Sequence, residues 1–225
     1  MTLAVISLVL AAISAFIIFF DMKKNPQSMR IMHAVWILTA LWASVFGLIA
    51  YYWFGREKKM QMPAGAMDDM PMQMPNRPAW QSVTLSALHC GAGCTLADIV
   101  GSILLFVMPI TLFGSTLVGG WTFTFILALL MGVYFQFAAI REMENLPIAT
   151  ILKRAIKADF LSLTSWQVGM YCWMYYLMFH LHYITPNEKW TWQFWFAMQQ
   201  AMLAGLVLAL PMNYILIKAG VKSGM

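Results

Sequence analysis

The chain has 225 residues, of which 61% are hydrophobic and only 10% are charged, and its mean hydropathy is +0.71. An ordinary soluble domain carries about 25% charged residues, so this composition excludes that class and indicates a membrane protein. The formal net charge of +5 comes from short clusters between apolar runs, not from a basic face interleaved with aromatic residues, so no nucleic-acid site is expected.

Six apolar runs are long enough to cross a bilayer, because a spanning helix needs about 20 mostly apolar residues. They cover about residues 2–20, 31–54, 94–116, 121–140, 160–184 and 190–217. Before the fifth run, the stretch REMENLPIATILKRAIKAD separates apolar from basic side chains, which predicts a short amphipathic helix at the membrane surface. The predicted fold is therefore all-α: a polytopic bundle of about six transmembrane helices plus this surface helix.

These runs divide the chain into three parts. Residues 1–54 hold two N-terminal transmembrane helices, residues 55–88 form a Met-rich flexible loop, and residues 89–225 form a four-helix membrane domain that opens with HCGAGC. The distribution of Lys and Arg over the loops favours both termini in the cytoplasm. One local signal disagrees, because Lys23 and Lys24 directly after the first run favour an N-terminus on the outside.

The loop over residues 55–88 is rich in methionine, which is a poor choice for a passive linker because exposed thioethers oxidise. Thioethers are soft, uncharged ligands that select Cu(I) over harder ions. We therefore expect this loop to capture a soft cation; the alternatives are a disordered linker or an adaptable surface for a protein partner. The candidate ligands are Met60, Met62, Met67, Met70, Met72 and Met74.

The loop leads into HCGAGCTLAD, which holds His89, Cys90, Cys94 and Asp98. The last three are spaced four residues apart and would lie on one face of a helix. If the glycines delay the start of that helix to about Cys94, the helix dipole favours a thiolate there. Two thiolates and an imidazole suit Cu(I) best and Zn(II) next, and a carboxylate in an apolar segment is expected to be functional. The alternative is close packing of small residues.

A methionine ladder continues into the last two runs and forms a candidate pathway through the bundle. Ordinary core packing is the alternative, because methionine also fills gaps between helices. Haem is not expected, since no pair of histidines has a clear haem-ligand spacing. We expect Asp159 to cap the start of the fifth run. The pathway candidates are Met170, Met174, Met178, Met198 and Met202, together with Gln167 and His180.

The stretch HCGAGCTLADIVGS resembles a bacterial family of multi-pass membrane proteins known as domain of unknown function 4396. The likeness continues through LKRAIKADFLSLTSWQVGMY and FWFAMQQAM to PMNYILIKAGVKSGM, and it covers about residues 80–225. Ala97 stands where relatives usually have glycine. The resemblance implies a bacterial plasma-membrane protein and stresses His89, Cys90, Cys94 and Asp98, but it supplies no reaction.

We expect a non-enzymatic membrane protein that binds Cu(I), with Zn(II) the second choice of metal, and that transfers or transports it. One alternative is a membrane thiol–disulfide oxidoreductase in which Cys90 and Cys94 cycle between dithiol and disulfide. The other is an accessory subunit whose Met-rich loop docks a partner. The expected partners are the lipid bilayer, the metal ion, and a protein partner or a second copy of the chain.

Overall fold

The computed structural model of the protein describes residues 1–57, 78–143, 146–186 and 188–222. These residues form helices and contain no β-strand. The candidate ligands Met60, Met62, Met67, Met70, Met72 and Met74 lie outside the described residues. The helices are α1 (Thr2–Lys24), α2 (Ile31–Ala50, continued by the π-helical turn Tyr51–Gly55), α3 (Ala79–Val107), α4 (Thr116–Met143), α5 (Ile148–Tyr175, followed by the π-helical turn Tyr176–His180) and α6 (Trp192–Lys218).

Five of the described helices, α1, α2 with its π-helical turn, α3, α4 and α6, are long and apolar enough to cross a membrane. α5 carries Lys153, Arg154, Lys157 and Asp159 in its first half, and it packs along α4 and α6. Large apolar side chains such as Phe46 cover the outside of the bundle, where they can face lipid. The prediction of an all-α, multi-pass membrane protein is confirmed.

The second helix, α2, reverses its direction half-way. At Ser44 the backbone has φ 52° and ψ −131°, which is outside the helical region and rare for a residue with a side chain. The Trp36 ring centroid lies 5.5 Å from that of Tyr51 and 5.7 Å from that of Phe54. In a straight helix, Trp36 and Tyr51 would be separated by about 22 Å along the axis. α2 is therefore a helical hairpin with its tip at Ser44.

Glycines allow the two halves of this hairpin to approach each other. A Cβ atom on Gly55 would overlap the Trp36 ring, and one on Gly47 would lie 3.1 Å from the Cα of Ala40. Small residues serve the same purpose between helices in membranes generally. The sequence predicts a second crossing here, because the segment is long and apolar enough to span the membrane. In the structure the segment reverses at Ser44, and the hydropathy of the sequence does not indicate that reversal.

Both ends of the hairpin lie at the same end of the bundle, beside the end of α1. The backbone N–H of Ser28 donates to Glu57 Oε2 at 2.7 Å, and Arg56 Nε lies 3.0 Å from Asp21 Oδ2. We name this the hairpin end. The end of α4 lies there too, because the N–H of Arg30 donates to Glu142 at 2.9 Å.

α1 and α6 both begin at the opposite end, where Ser7 Oγ donates to Gln199 Oε1 at 2.7 Å. α1, α3, α4, α5 and α6 then run alternately between the two ends, whereas α2 returns to the end from which it started. Met1 and Lys222 consequently lie at opposite ends of the bundle. The expectation that both termini lie on one side depended on counting α2 as a crossing, and it stays a prediction.

Two helices begin earlier than the sequence predicts. α3 starts at Ala79 rather than near Cys94, because its glycines serve for packing: a Cβ atom on Gly93 would lie 2.9 Å from the Cα of Gly132 in α4. Cys94 is thus in the middle of α3, too far from the helix N-terminus for the helix dipole to stabilise a thiolate. α5 is continuous from Ile148, so the expected surface helix is its first part, and Asp159 is a buried mid-helix residue rather than a cap.

Candidate functional site

A row of polar and sulfur-containing side chains follows α3 through the interior of the bundle. Ser86, Cys90, Cys94, Asp98 and Ser102 are spaced four residues apart, and all are buried. A four-residue step is slightly more than one helical turn, so neighbouring members point to the same side and the row turns slowly around the helix. Buried polar groups are costly in a membrane, so this row is the leading candidate for a functional site.

The half of the row near the hairpin end forms a hydrogen-bonded cluster around Cys90. The Cys90 sulfur lies 3.0 Å from Asp159 Oδ1 and 2.9 Å from Ser162 Oγ. Lys222 Nζ lies 3.4 Å from the same sulfur, and Asn213 Nδ2 donates to Ser162 Oγ at 2.7 Å. We name these five residues the Cys90 cluster; each is buried.

The second carboxylate oxygen of Asp159 has no hydrogen-bond partner among the described residues. It lies against Gly132 of α4, where an added Cβ atom would overlap it. Most buried polar atoms in proteins are hydrogen-bonded, so a buried carboxylate oxygen without a partner is a candidate position for binding a ligand. Sequence reasoning missed this role because it placed Asp159 at a helix end; the available signal was a carboxylate followed by Ser162 one turn later.

In the middle of the row, Cys94 faces α5. Gln167 Nε2 donates to the Cys94 sulfur at 3.5 Å, and both side chains are buried. His89 does not join this face, because consecutive helical residues point about 100° apart. Its Nε2 atom lies instead 3.0 Å from the Met32 sulfur in the first half of the α2 hairpin. The structure therefore places the two cysteines in one row on α3 and the histidine on another face of that helix.

Asp98 lies in the half of the row near the opposite end and borders a cavity that contains most of the predicted methionine ladder. Asp98 Oδ2 has no hydrogen-bond partner in the part of the chain that the structure describes. Lys189 lies at the rim of the cavity and is half-buried, and this burial lowers the pKa of its ammonium group. We name this the methionine cavity; its walls include Asp98, Met170, Met174, Met178 and Met198.

A second cavity, of about 330 Å³, lies on the other side of Asp98 between α1, α2, α3 and α6. Met202 lines it, as do Met198 and Gln199. Asp98 is therefore reachable from two sides. His180 is exposed at the π-helical turn after α5 and lines neither cavity, so the structure does not bring it to the other candidates.

The candidate ligands are distributed along the row rather than gathered at one point. Within the described residues, no group of three or more His, Cys, Asp and Glu side chains is close enough to hold a metal ion. His89, Cys90, Cys94 and Asp98 thus do not form one four-ligand site. The arrangement can instead offer a cation a succession of smaller sites: methionine sulfurs with Asp98, then Cys94, then the Cys90 cluster.

A family model described as "Domain of unknown function (DUF4396)" matches residues 79–222. No curated protein and no solved structure matches the chain. The matched range begins at the first residue of α3 and ends at Lys222, so it includes the whole row on α3 and every member of the Cys90 cluster. The chain therefore belongs to the DUF4396 family, whose function is unknown.

Proposed function

We propose that the protein binds Cu(I) and moves it between the two ends of the bundle. The observation that carries this proposal is the buried row on α3 with the side chains of α5 that face it. Thioethers and a carboxylate surround the methionine cavity, and the sulfurs of Cys94 and Cys90 continue towards the hairpin end. Sulfur ligands of this kind favour Cu(I), and Zn(II) is the second choice.

The spacing of Cys90 and Cys94 favours a metal over a disulfide. Cβ atoms four residues apart on a helix are separated by about 5–6 Å, whereas a disulfide needs about 3.5–4.5 Å. Closing the bond would distort α3, and both cysteines are fully buried, out of reach of a partner thiol. A metal–thiolate bond of about 2.3 Å, the value for zinc, allows two sulfurs about 4.6 Å apart to share one ion. The spacing and the burial of the two cysteines thus disfavour the oxidoreductase alternative.

The proposal includes an orientation in a bacterial plasma membrane. Cytoplasmic ends of membrane proteins are enriched in Lys and Arg, and at the opposite end of the bundle Lys189 is the one such residue that the structure describes. The hairpin end is then cytoplasmic, with the N-terminus outside, in agreement with the local signal from Lys23 and Lys24. The described basic residues of the hairpin end are Lys23, Lys24, Arg30, Arg56, Arg141, Lys153, Arg154, Lys157, Lys218 and Lys222.

Metal analysis of the purified full-length protein tests the proposal. Protein from copper-replete cells should retain about one copper ion per chain, bound by soft sulfur ligands, and Cys90→Ser/Cys94→Ser should lose it. Cys172→Ser is the matched control, because Cys172 is a free, exposed cysteine on α5 and its removal should leave the copper content unchanged. Copper-free wild-type protein would contradict the proposal, and a stable co-purifying partner would then favour the accessory-subunit alternative.

A further inference from the structure

Lys222 enters the interior of the bundle from the hairpin end. α6 ends at Lys218, and Gly220, with φ +66°, lets the chain turn back. The backbone N–H groups of Val221 and Lys222 donate to the carbonyl of Leu216 at 3.0 and 3.2 Å, which fixes this turn. The Lys222 side chain is only 3% exposed. Lysine is almost never fully buried unless it is paired, so its partners identify what the interior offers to a cation.

Three atoms accept hydrogen bonds from the Lys222 ammonium group. Nζ lies 3.1 Å from the carbonyl oxygen of Ser86, 2.9 Å from Asn213 Oδ1 and 3.4 Å from the Cys90 sulfur. An ammonium group has three N–H bonds to donate, and these acceptors match that number. The Asp159 carboxylate interacts electrostatically with the same group and balances its charge.

This set of groups has the composition of a cation site. It offers a sulfur, two uncharged oxygens and a carboxylate, and the free Oδ2 of Asp159 remains to coordinate an ion. The net charge of this set of groups determines whether a monovalent or a divalent ion can bind. One carboxylate balances one ammonium, so a monovalent cation can replace the ammonium without leaving a net charge, whereas a divalent ion would leave an uncompensated buried charge, which is strongly unfavourable.

We infer that the Lys222 ammonium group occupies a second binding site for the monovalent soft cation, formed by the Ser86 carbonyl, Cys90, Asp159 and Asn213, and that the bound cation displaces Lys222. This inference rests on the proposed function, because the cation is the one that the row on α3 conducts. The step exchanges one monovalent cation for another. The Lys222 side chain moves out towards the hairpin end, the Cys90 proton passes to Asp159 Oδ1, which already accepts its hydrogen bond, and the cation binds the resulting thiolate. The net charge of the buried groups is unchanged, and no electron is transferred.

Titration with Ag(I), a soft monovalent ion, tests the exchange on the purified full-length protein in lipid nanodiscs. A site that is open only part of the time binds with an affinity reduced by that fraction, so Lys222→Gln should bind Ag(I) at least about tenfold more tightly than wild type. Lys218→Gln is the matched control, since Lys218 carries the same charge at the same helix end but is exposed. Equal affinities in wild type and Lys222→Gln would overturn the inference.

A measurement on the wild-type chain does not depend on the folding of a variant. Amine labelling read by mass spectrometry should show that Ag(I) increases the modification of Lys222 and leaves that of Lys218 unchanged. Bound Ag(I) without increased labelling of Lys222 would also overturn the inference.

The outcomes separate this inference from the proposed function. Loss of tight Ag(I) binding in Asp159→Asn, with Cys94 intact, would support the second site. If Ag(I) binding is lost in Cys94→Ser but unaffected by Asp159→Asn and Lys222→Gln, the inference fails and the proposed function stands. If the wild-type protein binds no Ag(I), both fail.

Discussion

At Asp98, a single buried carboxylate borders both the methionine cavity and the cavity between α1, α2, α3 and α6. One of its oxygens lacks a hydrogen-bond partner in the described part of the chain. A charged side chain at this depth in a membrane is costly and is functional by default. In the proposed path, Asp98 supplies the negative charge that the neutral thioethers lack, so a monovalent cation is electrically balanced when it first enters the bundle.

Replacement of this carboxylate should therefore impair movement of the ion more than it impairs the fold. Asp98→Asn keeps the shape of the side chain and removes its charge. We expect Cu(I) uptake into proteoliposomes to fall at least about tenfold, which corresponds to about 1.4 kcal/mol of lost interaction. The unfolding temperature should change little, because Oδ2 has no hydrogen bond to lose.

Ser102→Ala is the control for Asp98→Asn, since Ser102 follows on the same row and lines the same cavity but carries no charge. It should retain most of the uptake. If Asp98→Asn takes up Cu(I) as fast as the wild-type protein, Asp98 is not part of the path.

The sequence predicts some features of the helices and not others. Composition and hydropathy predict the all-α membrane fold, and the four-residue spacing of Cys90, Cys94 and Asp98 predicts their shared row on α3. The hairpin in α2 could not be predicted, because its turn is at a serine with positive φ and is stabilised by contacts between its two halves. Asp159 and Lys222 could not be assigned to the Cys90 cluster either, since their roles depend on partners contributed by other helices.

The hairpin predicts a membrane sidedness that a straight second helix would not. With α2 folded back, Ser28 and Thr111, both exposed, lie at opposite ends of the bundle, whereas six straight crossings would place both on the outside. A membrane-impermeant thiol reagent applied to intact cells should label Thr111→Cys and leave Ser28→Cys unlabelled until the membrane is permeabilised. Both variants carry Cys172→Ser, which removes the exposed native cysteine.

Labelling of both positions from the outside would contradict the hairpin topology. Labelling of Ser28→Cys alone would keep the hairpin and reverse the proposed orientation. The parent chain with Cys172→Ser and no added cysteine should stay unlabelled, because Cys90 and Cys94 are buried.

Taken as a whole, the molecule has apolar side chains on the outside and its polar row in the centre. Phe16, Phe46 and Trp53 are among the large side chains exposed to the surroundings, whereas Cys90, Asp159 and their neighbours are buried. The described basic residues are concentrated at the hairpin end. In the proposed function, a cation that enters the methionine cavity travels towards the hairpin end and reaches the site that Lys222 occupies.

X-ray absorption at the copper edge of the copper-loaded, full-length protein tests most directly whether the sulfurs of the row on α3 hold a soft cation. We expect Cu(I) with sulfur ligands at about 2.3 Å, close to the zinc–thiolate value, and a loss of sulfur scattering in Cys90→Ser/Cys94→Ser. A copper ion coordinated by nitrogen and oxygen alone, or a spectrum unchanged by the double substitution, would contradict it.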